Sequence, residues 1–108
     1  MVNAYRNMDY ILGRNATGYC YVTGFGSKSP MHPHHRLSAA DDIVEPLPGF
    51  LVGGPNPKQQ DSAVYPSLLP DEAYADDVTS YASNEIAINW SAGLVAISSA
   101  LDALAGKL

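Results

Sequence analysis

The sequence predicts a mainly α fold with long ordered loops. Three observations predict it. Ala4, Met8, Ile11 and Leu12 fall at i, i+4, i+7 and i+8, the spacing of one helical stripe. Residues 86–101 form an apolar run without a charge. Between these ends lie all eight prolines, at positions 30–70, and seven of the nine glycines, at positions 13–54. Proline withdraws a backbone donor, and the residue before it avoids helix, so the middle of the chain reads as loop.

The first helix is expected over about residues 3–13, with Asn3 as its cap and Gly13 as its end. A loop region follows over about residues 14–80. Within it Tyr19–Thr23 has the Tyr, Val and Thr content of a short extended stretch. Long loops inside a compact domain tend to carry function. Pro46-Leu47-Pro48-Gly49 and Gly53-Gly54-Pro55-Asn56-Pro57 are turn clusters; the Gly pair lacks the strand and helix context of a phosphate loop. The last helix is expected over about residues 84–105, closed by Gly106. Ile86, Trp90, Leu94, Ile97, Leu101 and Leu104 form one stripe, and Ile88, Ala92 and Val95 make the opposite side apolar too. A helix apolar all round needs neighbours on several sides. The short first helix cannot cover it, so the chain reads as a piece of a larger core. Self-association, or pairing with an upstream piece, follows as an expectation.

Bulk properties narrow the function classes. At 108 residues there is room for one domain. A 46% hydrophobic content is globular. A net charge of −5 with six scattered Lys and Arg argues against nucleic acid. No basic amphipathic face suggests a membrane surface, and the terminal run carries Asn89, Ser91, Ser98 and Ser99, which favours a core helix over a span. The single Cys20 excludes an internal disulfide and a multi-thiolate metal site, and reads as a small buried side chain. The opening residues, with Asn3, Tyr5 and Arg6, do not have the pattern of a secretory leader. Asn15-Ala16-Thr17 and Asn89-Trp90-Ser91 match glycosylation sequons by pattern.

Two clusters carry chemistry. In the first, His32, His34, His35 and Arg36 crowd five positions. Adjacent histidines on extended chain point apart, and no further ligand follows at metal spacing, so no metal or other cofactor is expected. His34 and Arg36 are two apart and would share a side of an extended strand, where both can bond hydroxyls. A solvated polar loop is the alternative. Asp41, Asp42 and Glu45 are either a solvated turn or partners for Arg36. In the second cluster Asp76 and Asp77 precede Glu85, placed where the last helix would begin. Apolar surroundings and nearby carboxylates favour a protonated Glu85, and the helix N-terminus opposes this. Such a group suits a general acid. The plainer reading is a first-turn acid that only supports the helix. Asn89 would share its face at i+4, with Trp90 beside it as core or as an aromatic platform.

Tyr74, Asp76, Tyr81, Glu85 and Ala87 stand in the order and spacing of the second signature of glycoside hydrolase family 9, the inverting cellulases. Ser91 departs from it, where the family usually has Asn. Val22, Thr23, Gly26, Lys28, Pro33, His34 and Arg36 resemble the family's other signature, with Cys20 as a departure. Nearly the whole chain resembles the closing segment of that family's catalytic domain. The resemblance implies an (α/α)6 barrel, of which this chain is the C-terminal part. It implies hydrolysis of β-1,4-glucosidic bonds in cellulose or a related β-glucan, with Glu85 as general acid and Asp76 in support. His34 and Arg36 would be active-site residues that grip sugar, with Trp90 as an aromatic contact. A secreted parent enzyme is implied as well. The family's base lies in an Asp-Ala-Gly-Asp motif that this sequence does not contain. A non-catalytic carbohydrate-binding or assembly fragment is the alternative.

Overall fold

The computed structural model describes residues 2–106. Its regular structure is two helices, α1 (Val2–Ile11) and α2 (Ile88–Ala105), which touch each other. Everything between is ordered loop, and no strand longer than an isolated bridge forms among the described residues.

Helix α1 ends as its sequence dictates. Gly13 takes φ +123°, a conformation that side chains resist. This turns the chain so that the Arg14 N–H reaches the Asp9 carbonyl at 2.9 Å and the Gly13 N–H reaches that of Tyr10 at 3.3 Å. The pair satisfies two carbonyls that the helix end would orphan. Asn3, expected as a cap, lies inside the first turn instead.

The start of α2 is displaced from its expected position. The helix begins at Ile88 and not near residue 84, and its N-cap Ala87 is extended with φ −141° and ψ 145° and gives no side-chain cap. The cause is pairing on both edges of the preceding segment. Glu85 forms a parallel bridge with His34, and Ile86 an antiparallel bridge with Val52. The His34 N–H donates to Asn84 O at 2.9 Å and the Gly53 N–H to Glu85 O at 3.0 Å. These bonds hold residues 84–86 extended, and a helix cannot start while they stand.

Four stretches therefore lie side by side. Residues 20–23 pair with 50–52 through the Val22–Leu51 bridge, 52–54 pair with 83–86, and 85 pairs with 34. Thr23 locks the first pair. It is fully buried, donates its hydroxyl to Leu47 O at 2.7 Å and accepts from the Phe50 N–H at 2.9 Å. Its backbone adds bonds to Phe50 O and from Gly49 N–H. Tyr21, Val52 and Tyr74 form the core beneath, with Tyr19, Leu51 and Ile86 against them. The Tyr74 ring meets those of Tyr19 and Tyr21 edge-on at 4.8 and 5.2 Å. Edge-on contact suits the quadrupoles of aromatic rings. Burial pushes the Tyr21 hydroxyl up to about 12. Burial first, and then the nearby Asp76 charge, push Tyr74 higher still.

Helix α2 has no buried residue, and Ile88 and Val95 are 92% and 63% exposed. The apolar surface is there as its sequence requires, but this chain does not cover it. With 18 residues and a mean hydropathy of 1.3, α2 is by length and composition apolar enough to cross a membrane. Tyr5, Met8 and Leu12 of the α1 region face Leu94, Val95 and Leu101 of α2 across an open apolar groove of about 580 Å³.

Candidate active site

The parallel bridge brings the two clusters of chemistry together. Glu85 and His34, 51 positions apart in sequence, are backbone neighbours. Glu85 is exposed and stands three residues before α2, so it is not a first-turn acid of that helix. The expectation that a buried helix backs it and that Asn89 shares its helical face ends there.

His34 is half-buried, and its Nδ1 lies 2.5 Å from the Val78 carbonyl oxygen. A carbonyl only accepts, so Nδ1 carries a proton and Nε2 is the ring nitrogen left for another partner. Its ring stands edge-on to Tyr81 at 6.3 Å. Tyr81 in turn donates its hydroxyl to Gln60 O. His34 is thus fixed in orientation before any ligand arrives.

Arg36 is placed differently from expectation. The extended segment stops at His35, and Arg36 opens the turn of residues 36–40, with the Ala39 N–H on His35 O at 3.1 Å. Extended-strand spacing therefore does not aim it alongside His34. It is exposed and makes no ion pair among the described residues. Asp41, Asp42 and Glu45 form the solvated turn, not a set of partners for Arg36.

Asp76 is committed to structure. Its carboxylate accepts from the backbone N–H of Met31 and of His32, both at 2.8 Å, and from Asn84 Nδ2 at 3.2 Å. It anchors the histidine loop to the segment that carries Glu85. Asp77 binds the Thr79 hydroxyl at 2.7 Å and the Thr79 N–H at 2.8 Å, and these two donors hold its carboxyl below the usual range. Trp90 lies in the first turn of α2 and is 38% exposed. Its indole edge covers Gly53, where an added Cβ would come within 3.3 Å of the ring. Gly53 is the residue whose N–H binds the Glu85 carbonyl, so Trp90 sits one residue removed from the acid.

Two residues that sequence reasoning passed over complete the frame. Asp61 accepts from the Ala82 N–H at 2.8 Å, the Tyr65 hydroxyl at 2.9 Å, the Ser80 hydroxyl at 3.0 Å and the Ala63 N–H at 3.1 Å. Its burial pushes the carboxyl up, but these four donors together outweigh it and hold the group below its ordinary value. A depressed folded-state pKa adds stability above the unfolded carboxylate range, and that stability is lost as pH falls through the folded value. Asp61→Asn should therefore lower stability by about 1.5–3 kcal/mol at neutral pH, the range for hydrogen bonds to a charged group. The gap to wild type should close on acidification. Thermal unfolding followed across pH checks this, and a gap that does not depend on pH would refute it. Asn84, fully buried, is the other missed residue. Asn15 is also spoken for, because its Nδ2 donates to Tyr10 O at 2.7 Å and Tyr19 O at 2.8 Å, so the sequon there does not offer a free amide.

Among the described residues no group of three or more His, Cys, Asp or Glu side chains could hold a metal. The site is instead an exposed acidic residue, Glu85, paired through its backbone with His34, whose ring is oriented by Val78 and Tyr81.

Comparison with known proteins agrees with this architecture. The xyloglucan-specific endo-β-1,4-glucanase of Bacteroides ovatus is 74% identical over 105 residues, which is 97% of this chain and 18% of that protein. Endoglucanase D of Acetivibrio thermocellus is 44% identical over 88 residues, 82% of this chain and 12% of that protein. The structure of AaCel9A in complex with cellobiose-like isofagomine superposes with a TM-score of 0.87 at 45% identity, over 93% of this chain and 20% of that one. The chain thus spans about a fifth or less of the length of these relatives. The sequence profile of glycosyl hydrolase family 9 matches residues 2–98, and the chain belongs to that family.

Proposed function

We propose that this chain carries the general-acid wall of a cleft that hydrolyses β-1,4-glucosidic bonds with inversion. Glu85 protonates the leaving oxygen, His34, Arg36 and Trp90 contact sugar, and Asp76 holds the loop that bears the histidine. The observation that carries this reading is the direct backbone pairing of Glu85 with His34. Acid-assisted cleavage of a glycoside requires an accessible carboxyl, and Glu85 is exposed on the segment that pairs with the oriented His34. In this reading the chain is the closing part of an (α/α)6 barrel, and the rest of the barrel covers α2. The parent enzyme is secreted and needs no metal or other cofactor for the acid step. Relatives named as endoglucanases support a β-glucan substrate. The relative at 74% identity is named xyloglucan-specific, which favours a branched β-1,4-glucan over plain cellulose.

Inversion needs two carboxyl groups roughly 6.5–9.5 Å apart with water between them. Asp76 is used to anchor the histidine loop through three accepted hydrogen bonds, and the Asp-Ala-Gly-Asp motif to which the family resemblance assigns the base is absent from this sequence. The base is therefore supplied from outside this chain. The isolated chain should release no reducing sugar from xyloglucan or carboxymethylcellulose, and the same chain joined to the rest of its catalytic domain should release it readily. It should also self-associate through the uncovered face of α2. Light scattering and a reducing-sugar assay check both points. Sugar release by a monodisperse, isolated chain would overturn this reading, and a joined domain that binds cello-oligosaccharide without product would favour the non-catalytic alternative.

A further inference from the structure

Asn84 ties together the segments on which the proposed chemistry depends. It is fully buried. Its Oδ1 accepts from the Tyr74 hydroxyl at 2.5 Å. Its Nδ2 donates to His32 O at 2.7 Å and to Asp76 Oδ1 at 3.2 Å. Its backbone oxygen accepts the His34 N–H at 2.9 Å, and its own N–H donates to Ser80 O at 3.0 Å. The next residue in the chain is Glu85.

The amide can sit only one way round. His32 O and the Asp76 carboxylate oxygen are both acceptors, so the side of Asn84 that faces them must be the NH₂. The carbonyl end is then left for Tyr74, which has a proton to give. One side chain therefore spaces the histidine loop, Asp76 and the core tyrosine around the backbone from which Glu85 projects. A rotation at residue 84 would swing Glu85 directly, whereas its contacts with Gly53 and His34 run only through backbone.

We infer that Asn84, seated on Tyr74, is a positioning residue for the general acid: it fixes the register of Glu85 against His34. This rests on the reading of Glu85 as the acid. A misplaced acid has a specific kinetic signature. A sugar leaving group needs its proton, while a dinitrophenolate leaves without one. Loss of positioning therefore slows the glucan and spares the activated aryl glycoside. Loss of general integrity slows both.

The test uses the chain within an intact catalytic domain, with xyloglucan and dinitrophenyl β-cellobioside as substrates and thermal unfolding in parallel. Asn84→Ala should lower kcat on the glucan by about tenfold or more, within the roughly 100-fold that a 1 Å misplacement costs. The rate on the aryl glycoside should change less than about threefold, since its step needs little acid assistance. Tyr74→Phe removes one hydroxyl and keeps the ring, and should shift the same ratio in the same direction by a smaller factor. It decides the matter if Asn84→Ala does not fold. Equal losses on both substrates, or no loss on either, would overturn the positioning role. Glu85→Gln serves as the reference. If it too fails to discriminate between the substrates, the acid reading itself falls, a result distinct from failure at Asn84 alone.

Discussion

Glu85→Gln, made in an intact catalytic domain, should lower kcat on a β-1,4-glucan by about 10²–10⁴-fold, the usual contribution of a positioned proton donor. KM should move only slightly. Gln keeps the shape and the backbone bridge to His34, so the proposed sugar contacts should survive while the transferable proton is lost. Glu85 is exposed, and its side chain takes no part in the hydrogen-bonded frame around Asn84 and Asp76. The substitution should thus leave the thermal unfolding midpoint within a degree or two, as expected for a surface change worth under about 0.5 kcal/mol. Initial rates together with a melting curve separate chemistry from folding. Equal rates in variant and wild type would remove Glu85 from the mechanism.

Gly24→Ala should be the most damaging small substitution in the loops. Gly24 sits at φ +76°, and a Cβ built there falls 2.6 Å from Pro48 Cβ and 3.1 Å from Pro48 Cα. The left-handed backbone costs a side chain roughly 1–2 kcal/mol, and overpacking adds about 1–3 kcal/mol. Pro48 cannot step aside cheaply, because the buried Thr23 clamps its neighbours Leu47, Gly49 and Phe50 on both flanks. The expected loss of about 2–5 kcal/mol is a large share of the stability of a typical domain. Denaturant unfolding of the joined domain measures it. A loss under about 0.5 kcal/mol, the range of an ordinary surface change, would show that the loop yields.

Periodic patterns made both helices legible, and the density of Pro and Gly made the long ordered loops legible. Gly13 announced the end of α1 for a local reason, a backbone angle that few other residues accept. The start of α2 was not legible, because residues 84–86 owe their extended form to His34 and Val52, far away in sequence. No local propensity encodes that. Two signature motifs pointed to His34 and Glu85, and the fold makes them neighbours. Arg36 fell outside the strand rule because the chain turns right after His35. Asn84 and Asp61 gave no signal: each looks like ordinary loop polarity until partners 8 to 52 residues distant are in place. Buried polar groups of this kind are dictated by the need to satisfy every donor, a condition that only three dimensions reveal.

The grip of Asp76 on residues 31 and 32 has an evolutionary corollary. It recognises main-chain amides, which every residue but proline offers, and asks nothing of the methionine or imidazole side chains attached to them. Substitutions at those two positions, proline excepted, therefore keep this anchor, and the loop can change its side chains without losing its tie to Asp76.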